Sequence, residues 1–273
     1  MMGITREMKI PNVPARTIFI VQEPREIQRF DPIALSHYGR VLAPRFRYLR
    51  ALQNRVDEVG LLPWRVGIRI ETGPPRVVHS AAELRVGPAP TRHRLSVVTS
   101  GKSKTPNQVK RLRLIEYLSK RLPELDIYGR DSRLIDDKAD ALASNRFHLA
   151  LENSQHPNYW TEKLSDPIIM RNVIFYSGKN DWRRCFLSAN AITEIDVDSP
   201  EKTYKIIRRH MDSLSYDEAG PTLVENQSRL LERYTLHHAI LRTIATTPSG
   251  ISSIRKYPFS IPAHKGRRQH LSD

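Results

Sequence analysis

Apolar, β-branched runs alternate with amphipathic stretches along most of the chain, the rhythm of repeated strand-helix units. Residues 17–21 (TIFIV) read as a short buried strand, closed by Gln22, Glu23 and Pro24, because proline cannot continue a central ladder. Glu23 therefore stands at a strand's carboxyl end, the edge where parallel α/β sheets collect ligands. Further on, 95–98 predicts a strand, and Thr105 with Pro106 predicts a helix start: a capping hydroxyl, then proline at the first helical position. Val109, Leu112, Ile115, Leu118 and Leu122 form that helix's expected buried stripe, with Arg111 and Arg113 off it. The alternation continues through strand 125–128, closed by Gly129, helix 135–142, strand 147–152 and a helix from about Thr161. Strand 173–176, closed by Gly178, then strand 192–197 follow, and Ser199 and Pro200 open a helix to about Met211. Since parallel strands need crossover helices, the pattern predicts a doubly wound parallel sheet of the α/β class.

Prolines, glycine and charges dominate 72–94, which reads as an interdomain linker. We expect an N-terminal domain at 1–92, a second at 93–247 and a basic, poorly ordered tail at 248–273. The 273 residues suffice for two ordinary domains. The first residues lack the apolar core of a signal peptide, and no window approaches the roughly 18 to 20 apolar residues of a spanning helix. With one cysteine, Cys185, no intramolecular disulfide can form, and a reduced cytoplasm fits.

A net charge of +15 narrows the partner to something anionic: a nucleic acid, an acidic membrane surface or a phosphate-bearing small molecule. The arginines are scattered over several elements and spell no nucleic-acid motif, so no nucleic acid is expected. The histidines show no metal-ligand spacing, and His237 and His238 are expected on a helix surface. Asp196 and Asp198 form a DxD, but their place before Ser199 and Pro200 suits a strand end and cap, so no metal is expected. Trp64, Trp160 and Trp182 are read as packing residues.

The most informative stretch is 147–166, FHLALENSQHPNYWTEKLSD. A buried strand ends in Glu152, Asn153 and Ser154, and a helix begins close to Thr161, Glu162 and Lys163. That junction presents backbone amides and a helix's positive end to an anion. Lys163 in the first turn conflicts with the dipole unless an anion is bound nearby. Taken without any family resemblance, a helix N-terminal cap with a solvated charge pair is the favoured account of Asn153, Tyr159, Glu162 and Lys163. Asn153, Tyr159 and the Thr161-Glu162-Lys163 triplet resemble the signature of the α1,3/α1,4-fucosyltransferases, glycosyltransferase family 10 of bacterial type. SVVTS at 96–100, Arg111 seven residues before Leu118, DIYG at 126–129, VIFYSG at 173–178 and ITEIDV at 192–197 extend the resemblance.

The resemblance implies a GT-B-like arrangement of two Rossmann-like domains, the N-terminal one shortened, since only sixteen residues precede the strand at 17–21. It implies GDP-fucose or a related GDP-sugar as donor, no cofactor and no metal. Arg111 and Lys163 would neutralise the pyrophosphate, whose charge grows as the glycosidic bond breaks. Asn153 and Glu162 would hold ribose or sugar hydroxyls, and Tyr159 would reach a phosphate oxygen or pack on the donor. Glu23 would be the general base that takes the acceptor's proton in an inverting transfer. The acceptor would be a glycan, on a bacterial surface polysaccharide or lipid-linked oligosaccharide. Location would be cytoplasmic, peripheral on the anionic inner face of the membrane. Two other readings remain open: an inactive sugar-nucleotide-binding homologue and a basic nucleic-acid-binding protein. Pro167 is expected to bend or shorten its helix.

Overall fold

A computed structural model of the protein describes residues 8–10, 17–69, 76–87, 89–129, 132–213, 216–246 and 259–261. Its strands in chain order are β1 (Met8–Ile10), β2 (Ile18–Ile20), β3 (Arg40–Ala43), β4 (Arg55–Asp57), β5 (Ile68–Arg69), β6 (Arg76–Val77), β7 (Arg92–Val98), β8 (Leu125–Tyr128), β9 (Asn145–Leu151), β10 (Val173–Ser177), β11 (Ile192–Glu194) and β12 (Phe259–Ile261). The helices are α1 (Pro32–Leu35), α2 (Ala81–Val86), α3 (Pro106–Ser119), α4 (Lys138–Leu142), α5 (Glu162–Ile169), α6 (Pro200–Ser213), α7 (Tyr216–Arg233) and α8 (Leu236–Ala245). The fold is α/β with two parallel sheets. One has three strands in the order β2-β3-β4; the other has five in the order β11-β10-β9-β7-β8, every pair parallel.

The larger sheet is fully buried at its centre: β10 is buried at all five positions, as expected of a strand covered on both faces. Phe147, Phe175, Leu95 and Trp182 anchor its core. A second cluster, with Val41, Phe46 and Leu49, lies on the smaller sheet. The chain then returns: Leu236 and Ala239 of α8 pack with Leu42 and Leu61, so the last helix closes a face of the first sheet. Gly60 permits that return. It has φ +65°, and a Cβ there would overlap the Tyr234 carbonyl oxygen.

Several predicted elements shift. In α3 the buried residues are Gln108, Arg111, Leu114, Ile115 and Leu118, so Arg111 lies on the inner face and Val109 and Leu112 flank it. Helix 135–142 begins only at Lys138, because the Asp137 side chain caps it by accepting from Ala139 N. Strand 192–197 ends at Glu194, before Asp196 turns the chain by accepting from Asp198 N at 2.9 Å. The stretch 72–94 is not featureless: a Ser80/Glu83 capping box starts α2, whose Leu84 is buried and whose Leu84 carbonyl accepts from Gln227. Pro167 falls in α5, which is short, with Met170 as its C-cap. Most of the tail lies outside the described residues, but β12 pairs antiparallel with β1. Among the described residues, no helix is long and apolar enough to cross a membrane.

Candidate functional site

The order of the five-stranded sheet reverses at β7. Its chain neighbour β8 lies on one side and β9 on the other, which makes the carboxyl ends of β7 and β9 the topological switch point. Thr99 and Ser100 leave β7 there, and Glu152 and Asn153 leave β9. Gly129 ends β8 in the left-handed region, at φ +138°; a Cβ would collide with the Thr99 carbonyl oxygen. Into this edge projects Arg111, only 3% exposed. Its guanidinium donates to Asn153 Oδ1, to Thr99 Oγ1 at 3.4 Å and to the Ser100 carbonyl at 3.5 Å. The Nε is buried without a partner. Burial pulls the Arg111 pKa down, while Glu152 and Glu162 oppose that shift. Arg113, by contrast, is exposed.

A buried carboxylate clamps the start of α5. Glu152, 1% exposed, accepts from Thr161 N at 2.9 Å, from Thr161 Oγ1 at 2.7 Å and from Tyr176 OH at 3.4 Å. Thr161 Oγ1 in turn accepts from Lys163 N at 3.2 Å, the capping bond of the helix. Lys163 Nζ lies 3.0 Å from Glu162 Oε1. Lys138 bridges Glu162 at 3.3 Å and Asp166 at 3.0 Å. Burial alone would raise the Glu162 pKa, but Lys138 and Lys163 hold it well below the usual carboxylate range. Asp166 also accepts from the backbone of Arg65 at 2.6 Å and Val66 at 3.3 Å, tying the N-terminal segment to α5. His148 sits beside this network, 2.9 Å from Ser96 Oγ, with its pKa pushed down to about 3 by burial and by Lys138. It is therefore neutral at physiological pH.

From the smaller sheet comes Glu23, just past β2. Its Oε2 accepts from Tyr159 OH at 3.1 Å, and the Tyr159 ring packs on Phe46 with centroids 5.7 Å apart. Burial raises the Glu23 pKa against the lowering effects of Tyr159 and Lys163. Beside it, Glu26 Oε1 and His156 Nε2 are 2.7 Å apart.

The six residues singled out in the sequence thus form three contacting pairs: Arg111 with Asn153, Glu162 with Lys163, and Glu23 with Tyr159. Sequence reasoning missed the Tyr159–Glu23 contact, the Thr161 clamp on Glu152 and the Lys138–Asp166 bridge. Only Glu152 carried a signal, as a carboxylate at the end of an apolar run. Among the described residues, no group of three or more His, Cys, Asp or Glu could hold a metal ion. Asp196 accepts from Ser199 Oγ at 3.0 Å, and Asp198 pairs with Lys110 at 2.8 Å. Trp160 and Trp182 are buried in the core, and His237 is exposed on α8.

The parallel sheet, its switch-point edge, the buried arginine and the capped helix start define an α/β domain with a candidate anion site at the carboxyl ends of its strands. Residues 91–219 match the model of glycosyltransferase family 10 (fucosyltransferase) C-term. That span holds all five strands of the larger sheet with Arg111, Asn153, Tyr159, Glu162 and Lys163, and leaves Glu23 outside. The protein is also similar to a crystal structure of alpha1,3-fucosyltransferase with GDP: 14% identity, 81% of this chain and 76% of that one, TM-score 0.45. A second alpha1,3-fucosyltransferase crystal structure gives 14% identity over 89% of this chain and 76% of that one, TM-score 0.48. The spinosyn forosaminyltransferase SpnP gives 14% identity, 82% and 63%, TM-score 0.38. No curated protein matches. These structural likenesses are distant and carry no argument, and the family model matches just under half of the chain.

Proposed function

We propose that the protein is an inverting transferase that moves L-fucose from GDP-fucose to a hydroxyl of a glycan acceptor, on a bacterial surface polysaccharide or a lipid-linked oligosaccharide. The observation that carries this reading is Arg111: a guanidinium 3% exposed at the switch point, with a buried Nε lacking any partner. A buried cation without a carboxylate partner is costly, and an anion bound at that edge would offset the cost. In this reading Arg111 and Lys163 face the pyrophosphate and stabilise the diphosphate as it leaves. Lys163 would exchange its contact with Glu162 for a phosphoryl oxygen. Asn153 and Glu162 would orient ribose or sugar hydroxyls, and Lys138 would hold Glu162 ionised for that task.

Glu23 would take the proton from the attacking hydroxyl at the oxocarbenium-like centre. A carboxylate raised by burial is a better base than a solvated one, which suits the role. Tyr159 would act as a positioning residue through its bond to Glu23. The division at 1–92, 93–247 and 248–273 would then separate an acceptor side, a donor side and a basic tail. No metal is needed in this scheme, because the two cations supply the charge. The positive surface would suit a cytoplasmic protein held peripherally on an anionic membrane.

The test is transfer by Glu23→Gln. With GDP-fucose and an acceptor panel, this variant is expected to lose at least about a thousand-fold in transfer, in the range of removing an essential base. Its GDP affinity should stay within about two-fold of wild type. Full transfer by Glu23→Gln would remove the assigned base, and product with the donor's anomeric configuration would contradict inversion.

A further inference from the structure

The loops that follow β2 and β3 leave the same sheet edge as Glu23, because those strands are adjacent and parallel. They carry Arg25 and Arg29 on the first loop, and Arg45, Arg47 and Arg50 on the second, all exposed. The loops are also tied to the candidate site. Arg45 N donates to the Pro157 carbonyl at 3.1 Å, and Phe46 packs on Tyr159.

The acidic residues nearby are occupied elsewhere. Glu26 contacts His156, Asp31 caps α1 by accepting from Ile33 N, and Asp57 pairs with Arg45 and Arg55. Among the described residues, Arg25, Arg29, Arg47 and Arg50 make no ion pair. Elsewhere, Arg94 pairs with Asp126, Arg183 with Glu194, Arg208 with Glu124 and Arg242 with Glu58, while other exposed arginines such as Arg113 and Arg209 are spread over separate helices. What sets these four apart is their place, on the two loops that leave the sheet edge beside Glu23. Tyr48, on the second loop, adds a buried hydroxyl without a partner, its pKa pushed up to about 12 by burial. Between Ile10 and Lys102 the chain uses no lysine at all. Guanidinium forks bind oxyanions in two-point fashion, which ammonium groups do not.

We infer that Arg25, Arg29, Arg47 and Arg50 recognise an oxyanion, a phosphate or a carboxylate, carried by the acceptor saccharide close to the hydroxyl that is modified. This deepens the proposed transferase and rests on it, since it takes the edge beside Glu23 as the acceptor side. A neutral acceptor would leave four cations facing solvent there. An anionic one would be steered to the site and held by it, with a strong dependence on salt.

The test is calorimetric, with GDP saturating the donor site. The probes are a neutral galactosyl-N-acetylglucosamine disaccharide, the same disaccharide carrying a phosphate, and a glucuronate-bearing disaccharide. The proteins are wild type, Arg47→Gln/Arg50→Gln, and Lys202→Gln/Arg233→Gln, which removes two exposed charges elsewhere. At least one anionic probe should bind at least about ten-fold more tightly than the neutral parent, and the preference should weaken in salt. The Arg47/Arg50 variant should lose it, and the control should keep it. Preference for one anionic probe tells phosphate from carboxylate. Equal binding of all three, no binding of either anionic probe, an anionic preference that survives in the Arg47/Arg50 variant, or tighter binding of a short oligonucleotide by the same arginines overturns the inference. Failure of GDP to bind would instead strike the donor reading, while the Arg47/Arg50 dependence would still decide this one.

Discussion

Glu23 and Tyr159 carry the sharpest test at the scale of single residues. The Glu23 carboxyl is raised by burial, while the Tyr159 hydroxyl and the Lys163 charge favour its ionised form. A general base must be unprotonated, so in the proposed mechanism transfer falls as pH drops through the Glu23 pKa, which burial raises from its ordinary value. Tyr159→Phe removes a hydrogen bond that favours the ionised carboxylate, so the acid limb of kcat/KM should move to higher pH. A limb that stays in place while the rate falls would reduce Tyr159 to packing. Glu23 was legible in the sequence because Pro24 ends the strand beside it. Its partner was not, because 136 residues separate the two and no local pattern links them. Arg111 shows the converse limit: periodicity assigns charge outward, and the neighbouring ends of β7 and β9 supply the acceptors that let a guanidinium point in.

At the scale of elements, α5 shows how the site is held. The Thr161 cap and the Glu152 clamp share one hydroxyl, which donates to the carboxylate and accepts from Lys163 N. Thr161→Ala should therefore cost about 1–3 kcal/mol, for a lost cap and a buried carboxylate short of a donor, read by denaturant unfolding. An unchanged midpoint would show that the clamp does not order the helix start. The helix start was legible, because a capping threonine acts locally, while α5 continues past Pro167 to Ile169. The later start of α4 was not, since Asp137 also accepts from Gly67 N, 70 residues away. For the same reason 72–94 read as a linker: its composition is loop-like, while Leu84 is fixed by α7, far along the chain.

At the scale of the molecule, the alternation of strands and helices was enough to predict a parallel α/β sheet, because the period of apolar positions is set by backbone geometry. The strand order was not legible, and the order is what brings Thr99, Arg111 and Asn153 to one edge. The two sheets are joined by the Asp166 bonds to Arg65 and Val66, by Tyr159 on Glu23, and by α8 returning to the first sheet. The central claim is that this edge binds a nucleoside diphosphate through Arg111 and Lys163. It is tested most directly by calorimetric titration of GDP into wild type and Lys163→Ala, with and without chelator. Binding that survives chelation and weakens about ten-fold or more in Lys163→Ala, the loss of one charge-assisted contact, is the predicted result. No binding of GDP to the wild type, or equal binding to both proteins, would contradict it.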